Sequence, residues 1–336
     1  MNIKERKLKH VDVCLNYPVE YQTRTTGFEK FDLPYQALPE SNLETTNTQT
    51  TFLAKPFEAP ILIGAMTGGA EKAAIINKNL ALAAEELGVG LMLGSQRIML
   101  EQASAIPSFS VRPFAPNILI IGNLGAAQLN KGYGQKDIIK AIELIQADAL
   151  AIHTNPLQEA LQSSGDYNFS NLIPRLKNII PGVPYPVLLK EVGHGLSKEV
   201  AHSIKDVGFA ALDVAGAGGT SWAKVEEFVN YGKLKHANLA EWGIPTARAL
   251  QDVHQTLPGM PLIASGGIRS GMDIAKALAL GAEMVAIARP LLEPAITSAE
   301  AVKKKLEDLI YELKVSMHCA GVKDIQALKH LELNNV

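Results

Sequence analysis

The sequence predicts an α/β protein, a (β/α)8 TIM barrel, and three observations carry that reading. From residue 60 onward a strand-length apolar run, a polar or glycine-rich end and an amphipathic helix follow one another eight times. Glycines stand between helical patterns and the strands that come next. The chain of 336 residues is 47% hydrophobic and 20% charged, enough to bury one large core. A doubly wound open sheet shares the alternation and is the competing architecture.

The strands are expected at residues 61–66, 89–94, 118–123, 149–154, 186–192, 211–216, 262–267 and 284–290. Each is a run of mainly apolar residues, as a strand buried on both faces requires. Between them, Ile76, Leu80, Ala84 and Leu87 share one helical face, as do Ile138, Ile142 and Ile145. Gly88, Gly208 and Gly281 each sit where a left-handed cap would stop a helix. Past the last strand, residues 298–315 pattern as a long helix, and a short closing helix follows from Cys319.

Residues 1–59 break this grammar. They hold threonine-rich and proline-containing pieces, and residues 42–52 suit an edge strand or a loop. The segment is expected to pack as an arm on the barrel of residues 60–336. Net charge is -2 with basic residues spread along the chain, which excludes a nucleic-acid binder and leaves small-molecule partners. No run approaches the roughly 20 apolar residues that span a bilayer, and no apolar leader follows the charged N-terminus. Cys14 and Cys319 have neither metal-ligand spacing nor a disulfide framework, so a reducing, cytoplasmic setting is expected.

In a barrel the site lies at the C-terminal ends of the strands, so those ends are read as a set. The first three end in Gly64 to Gly69, Gly94 to Arg97 and Gly122 to Gly125; they are small, hydroxylated or amide-bearing, and let a flat ring approach backbone. Lys190 closes an apolar run and needs an anion or an electron-rich ring as partner. The turns at Gly266, Gly267 and Arg269, and at Ala288 and Arg289, stand after strands seven and eight, where barrels bind phosphate. His153 and Asn155 lie two apart at the end of strand four, with Gln158 and Glu159 one turn beyond Pro156. One carboxylate among amides suits Mg²⁺ rather than zinc. Arg6, Lys7 and His10 are a solvated charge run unless the arm folds over the mouth, where they would clamp phosphates.

Taken together, Arg6-Lys-x-x-His10, Ala37-Leu-Pro-Glu40, Met66-Thr-Gly-Gly69, Gly94-Ser-Gln-Arg97, Asn123-Leu-Gly125, His153-x-Asn155-x-x-Gln158-Glu159, Lys190-Glu-Val-Gly193, Gly216-Ala-Gly-Gly-Thr220 and Trp242-Gly-Ile-Pro-Thr246 resemble the type 2 isopentenyl-diphosphate isomerases. The resemblance implies an FMN-dependent enzyme that interconverts isopentenyl and dimethylallyl diphosphate, with Mg²⁺ and with NADPH or NADH as reductant. By motif match, Ala65, Met66, Thr67, Ser95, Asn123, Lys190, Thr220, Gly266, Gly267, Arg269, Ala288 and Arg289 would hold FMN. Arg6, Lys7, His10, His153, Asn155 and Gln158 would hold substrate, and Glu159 the metal. Gln158, His153 and Lys190 are the protein groups expected nearest the chemistry, with Gln158 orienting, since an amide is a poor acid. Ala215 stands where some relatives carry a small hydroxyl residue and is assigned no flavin contact. Trp222 is expected near the hydrocarbon tail. The family implies a homo-oligomer, a tetramer or octamer. A 2-hydroxy-acid oxidase on the same barrel would instead need a histidine base, His194, and an arginine such as Arg97 or Arg269. The third possibility is a flavin-binding protein without catalysis.

Overall fold

The computed structural model describes residues 3–336. Eight parallel strands close into one barrel: β1 (Ile61–Ile63), β2 (Gly90–Met92), β3 (Ile120–Gly125), β4 (Ala149–His153), β5 (Val187–Lys190), β6 (Ala211–Asp213), β7 (Leu262–Ser265) and β8 (Met284–Ile287). Each pairs with the next in sequence, and β8 returns to β1 through Val285 opposite Ile61. This is the (β/α)8 barrel, and the open sheet is excluded by its closure.

Most strands are shorter at their C-terminal ends than the apolar runs imply. β1 ends at Ile63 and β6 at Asp213; a few backbone bonds continue beyond them, Gly64 N–H to Ile287 O and Gly216 N–H to Ser265 O, before the chain turns into the mouth. β3 departs in the other direction and continues to Gly125. Helix Glu71–Leu87 ends on Gly88 at φ 61, whose N–H donates to the carbonyls of Ala84 and Glu85, the expected cap. The late helices run Ala299–Cys319 and Ile325–Lys329.

Alternate strand residues face the barrel axis. Leu62, Met92, Ile121, Ala151, Leu188, Ala211, Ile263 and Met284 form the interior cluster, whereas Ile120, Ile152, Leu189, Leu212, Ala264 and Val285 pack outward under the helices. The segment at 42–52 resolves into a short 3-10 helix, Leu43–Thr45, and a hairpin of Thr50–Phe52 with Lys55–Phe57. Phe52 and Phe57 join the interior cluster, so the hairpin plugs one end of the barrel.

The N-terminal residues form helix Ile3–Asn16, which packs on helix Trp222–Tyr231 through Val13, Val225 and Val229. A strap follows. Glu20 bridges antiparallel to Thr220, Tyr21 N–H donates to Gly219 O, and Ala247 N–H donates to Thr26 O. Phe31–Asp32 then pairs with Asn334–Asn335 near the other end of the chain. No helix among the described residues is long and apolar enough to cross a membrane.

The loops after β6 and β7 touch backbone to backbone. Gly266 has φ +99, and a Cβ there would collide with Gly216 O, whereas Gly208, at φ +90, faces open space. Gly208→Ala should therefore cost only backbone strain, about 1–2 kcal/mol, while Gly266→Ala adds an overpacking cost of about 1–3 kcal/mol. Thermal melts of the two variants check this: equal drops in Tm would mean the close loop contact contributes nothing.

Candidate active site

Two residues beyond each inward apolar residue the strand places another inward one, and at the mouth of five strands that residue is polar. Beyond Ile121, Ala151, Leu188, Ala211 and Ile263 come Asn123, His153, Lys190, Asp213 and Ser265. Cα register sets His153 beside Lys190 and Lys190 beside Asp213. Above this layer lies a cavity of about 280 Å³, and every residue assigned from the sequence to flavin, substrate or metal lines it. Ala215, given no flavin contact on sequence grounds, lines it too, at φ 36. Lys190, Thr67 and Glu159 thus share one space.

The polar layer is cross-linked within itself. His153 Nδ1 lies 2.7 Å from Asn123 Oδ1, an acceptor, which puts the ring proton on Nδ1 and leaves the Nε2 lone pair free. Burial, then the positive Lys190 and Lys7, push the His153 pKa down to about 3, so the ring is neutral at pH 7. It is a hydrogen-bonding group there, not an acid. Lys190 Nζ donates to Glu191 O at 2.7 Å. Asp213 Oδ1 accepts from the Ser265 hydroxyl at 2.6 Å and from Ala215 N–H at 3.2 Å. Burial raises the Asp213 pKa above the ordinary carboxylate value, and Lys190 with these donors offsets part of that rise.

One end of the cavity is built for a phosphate. Gly266, Gly267, Arg269, Ala288 and Arg289 line it, and the N–H groups of Gly267 and Ile268 have no acceptor among the described residues. Both arginines share the Glu20 carboxylate, at 2.9 Å from Arg269 and 2.8 Å from Arg289. Ala65, Met66, Thr67, Ser95, Asn123 and Thr220 are set around the remaining wall by β1, β2, β3 and the loop after β6. Gly64, Gly94, Gly219 and Ala286 line the same space with little or no side chain, which suits the close approach of a flat ring.

The other end is closed by the N-terminal helix, which delivers Arg6, Lys7 and His10. Lys7 Nζ donates to Ser95 O at 2.7 Å, and burial followed by Arg6 lowers its pKa to about 7. Arg6 Nε is buried without a partner among the described residues. Opposite, Pro156 starts a short helix, Pro156–Leu161, that carries Gln158 and Glu159. Asn155 Nδ2 donates to Gln158 Oε1 at 2.9 Å and to Glu159 Oε1 at 3.0 Å. Asn155 Oδ1 is a buried acceptor with no partner beside that carboxylate, an arrangement that favours a cation or a water. Among the described residues no three His, Cys, Asp or Glu side chains could enclose a metal, so any Mg²⁺ would complete its shell with water and ligand oxygens.

Three residues of this site escaped the sequence reading. Glu226 is fully buried; its Oε1 accepts from Gln158 Nε2 at 2.8 Å and lies 3.0 Å from His10 Nε2. It therefore pins the Gln158 amide from one side while Asn155 pins it from the other. A helical pattern with Lys224, Glu226 and Glu227 reads as a solvated face, yet all three are buried. Asp213 and Glu20 were the other two, and position alone pointed to Asp213, since it ends its strand as Lys190 does. Trp222 lines the cavity and meets His10 edge-on, ring centres 5.4 Å apart.

With this geometry, relatives can be weighed. The chain is 54% identical to an isopentenyl-diphosphate delta-isomerase of Mycolicibacterium gilvum over 97% of this chain and 95% of the relative. It is 54% identical to that of Deinococcus radiodurans over 97% of each, and 40% identical to that of a Nostoc species over 97% and 94%. The chain belongs to the isopentenyl-diphosphate delta-isomerase family. A family profile described as FMN-dependent dehydrogenase matches residues 134–335. Among solved structures, a putative lactate oxidase of Pediococcus acidilactici superposes with TM-score 0.70 at 18% identity, covering 100% of this chain and 95% of the other. A mandelate oxidase bound to (S)-mandelic acid gives 0.67 at 18%, covering 98% and 94%. These two establish a common barrel and nothing finer.

The histidine that an oxidase would need is elsewhere. His194 lies outside the cavity wall, where its Nδ1 sits 2.7 Å from Tyr21 Oη and 2.8 Å from Trp242 O. Arg97 does line the cavity, bonded to Asp166 and Glu101.

The state of Lys7 makes anion binding at this end pH-dependent. Below about pH 7 the ammonium is already charged; above it, an anion must draw a proton onto Lys7 and affinity falls, by at most about tenfold per pH unit. Titration calorimetry with inorganic diphosphate should show weaker binding at pH 8.5 than at 6.5, and Lys7→Met should flatten that dependence. A wild-type affinity independent of pH would contradict the buried-ammonium account.

Proposed function

We propose that the chain interconverts isopentenyl diphosphate and dimethylallyl diphosphate, using reduced FMN and Mg²⁺. The single observation that carries this reading is the cavity's two charged ends. Arginines and free N–H groups after β7 and β8 suit the flavin phosphate, and Arg6, Lys7 and His10 suit a diphosphate, with the Lys190 layer between them.

The reaction moves one proton onto the terminal methylene carbon and takes another from the carbon next to the one bearing the diphosphate. Bound and reduced, FMN would supply the acid and base at its ring nitrogen N5. The chain's residues orient and exclude water. Gln158, fixed by Glu226 and Asn155, presents an amide of set direction. Neutral His153 offers hydrogen bonding without a competing proton. Lys190 would set its positive charge toward the bound ring, where it would favour the reduced form. Trp222 provides an apolar wall for the five-carbon tail. Glu159 would hold Mg²⁺ together with the diphosphate oxygens, and Asn155 Oδ1 lies within the same cluster. The same reading takes NADPH or NADH as reductant, places the protein in the cytoplasm and expects a homo-oligomer.

The test is direct. Purified protein should carry a yellow chromophore, and after anaerobic reduction it should convert isopentenyl diphosphate to dimethylallyl diphosphate only when Mg²⁺ is present. Bleaching of the oxidised flavin by a 2-hydroxy acid, with no isomer formed, would replace this reading with an oxidase. Glu159→Gln should raise the KM for the diphosphate at least tenfold at fixed Mg²⁺ while the absorbance of bound FMN is retained. Loss of flavin from that variant would move Glu159 to the wrong end of the cavity.

A further inference from the structure

We propose that Asp213 is the counter-charge of Lys190, a positioning residue that limits how strongly the lysine pulls electrons onto the bound flavin. The proposal rests on the reading above, in which Lys190 faces the ring, and it concerns a residue to which neither motif nor cavity geometry has yet given a role.

Three observations converge on Asp213. It ends β6 as the in-register neighbour of Lys190 on β5, so both side chains leave adjacent strands toward the barrel axis. It is buried and lines the cavity, so its charge acts on whatever occupies that space with little water to screen it. Its orientation is fixed, because the Ser265 hydroxyl and Ala215 N–H both donate to Oδ1, and these donors with the Lys190 charge favour the ionised carboxylate against the burial that raises its pKa. Lys190, for its part, forms no ion pair within 4.0 Å among the described residues; its Nζ donates to the carbonyl of Glu191. The Glu191 carboxylate is occupied by the N–H groups of Val192, Gly193, His194 and Gly195. Asp213 is thus the carboxylate that shares the mouth layer with the lysine.

A positive charge alone at that edge would stabilise anionic reduced FMN strongly. Paired with a carboxylate one strand away, it would stabilise it less, leaving a cofactor whose reduced form still exchanges protons with a substrate instead of being held as a tightly bound anion. The strand register delivers that balance without direct contact between the two groups.

The experiment is a redox titration of the FMN-loaded protein with an indicator dye, after the affinity for oxidised FMN has been measured. Asp213→Asn keeps the side chain's shape and an acceptor for Ser265 while removing the charge. Its preference for reduced over oxidised FMN should rise at least tenfold, which for two electrons is a midpoint shift of about 30 mV upward. Ser265→Ala, which keeps the charge, should shift far less, and Lys190→Met should shift in the opposite direction. Should Asp213→Asn release FMN, Asp213→Ser removes the same charge with less bulk and is read the same way. An unchanged potential in the charge-removing variant overturns the proposal, as does a Ser265→Ala shift of equal size, which would mark a packing effect. Absence of bound FMN in the wild-type protein overturns the flavin reading beneath it, and that result is distinct from an unchanged potential.

Discussion

The structure depends on one change of character in the barrel's inner wall. Up to Ile121, Ala151, Leu188, Ala211 and Ile263 the wall is apolar and close-packed; one inward step further it is Asn123, His153, Lys190, Asp213 and Ser265. Such groups cannot be left dry and unpaired. The chain satisfies part of their demand through His153 with Asn123 and Asp213 with Ser265, and it directs the remainder into a cavity. The rigidity of the closed ladder beneath is what makes this possible, since register fixes which polar group stands beside which.

The same constraint accounts for the arm. A cavity ringed by eight strand ends would stand open to water, and helix Ile3–Asn16 closes one side by packing on helix Trp222–Tyr231. Closing it has a consequence for that second helix: Lys224 and Glu226 lose their solvent and must find partners. Lys224 reaches the Glu20 carbonyl at 2.7 Å and the Glu241 carboxylate, and Glu226 takes Gln158 and His10. The Glu241 carboxylate also receives the N–H groups of Gln22 and Thr23, which lower its pKa to about 2 together with Lys224 despite the opposing effect of burial. The arm, the strap and the helix beneath are held by charges that each of them buries for the others.

This explains what could be read from the residues and what could not. Strand period, helix period and the Gly88 stop signal are local, so the barrel and its eight strands followed from the chain alone. The strand ends were legible because a polar residue two positions beyond an inward apolar one has nowhere to point but the mouth. Strand lengths were not, since residues 64–66 and 93–94 look continuous with the apolar runs before them, whereas the strands end at Ile63 and Met92. Glu226 was hidden for a different reason. Burial of its face is created by a helix more than two hundred residues earlier, and no window of sequence contains both. Phe52 and Phe57, which plug the barrel through a hairpin, were hidden in the same way.

Where each family likeness begins along the chain divides the residues that line the cavity. The flavin-dehydrogenase profile starts at residue 134 and takes in β4 to β8, with Lys190 and both phosphate loops. Arg6, Lys7 and His10 precede that match, whereas the isomerase relatives span 97% of the chain. The profile thus takes in Lys190 and the loops after β7 and β8, while Ala65 to Asn123 of the same cavity and the cations of the N-terminal helix lie in the part matched by the isomerases. The position of His194 fits this division: the loop after β5 is present, but its histidine is bonded to Tyr21 of the strap, so the segment that brings the clamp to the mouth also holds that imidazole away from it. The N-terminal segment therefore brings cations to the cavity and ties up an imidazole beside it.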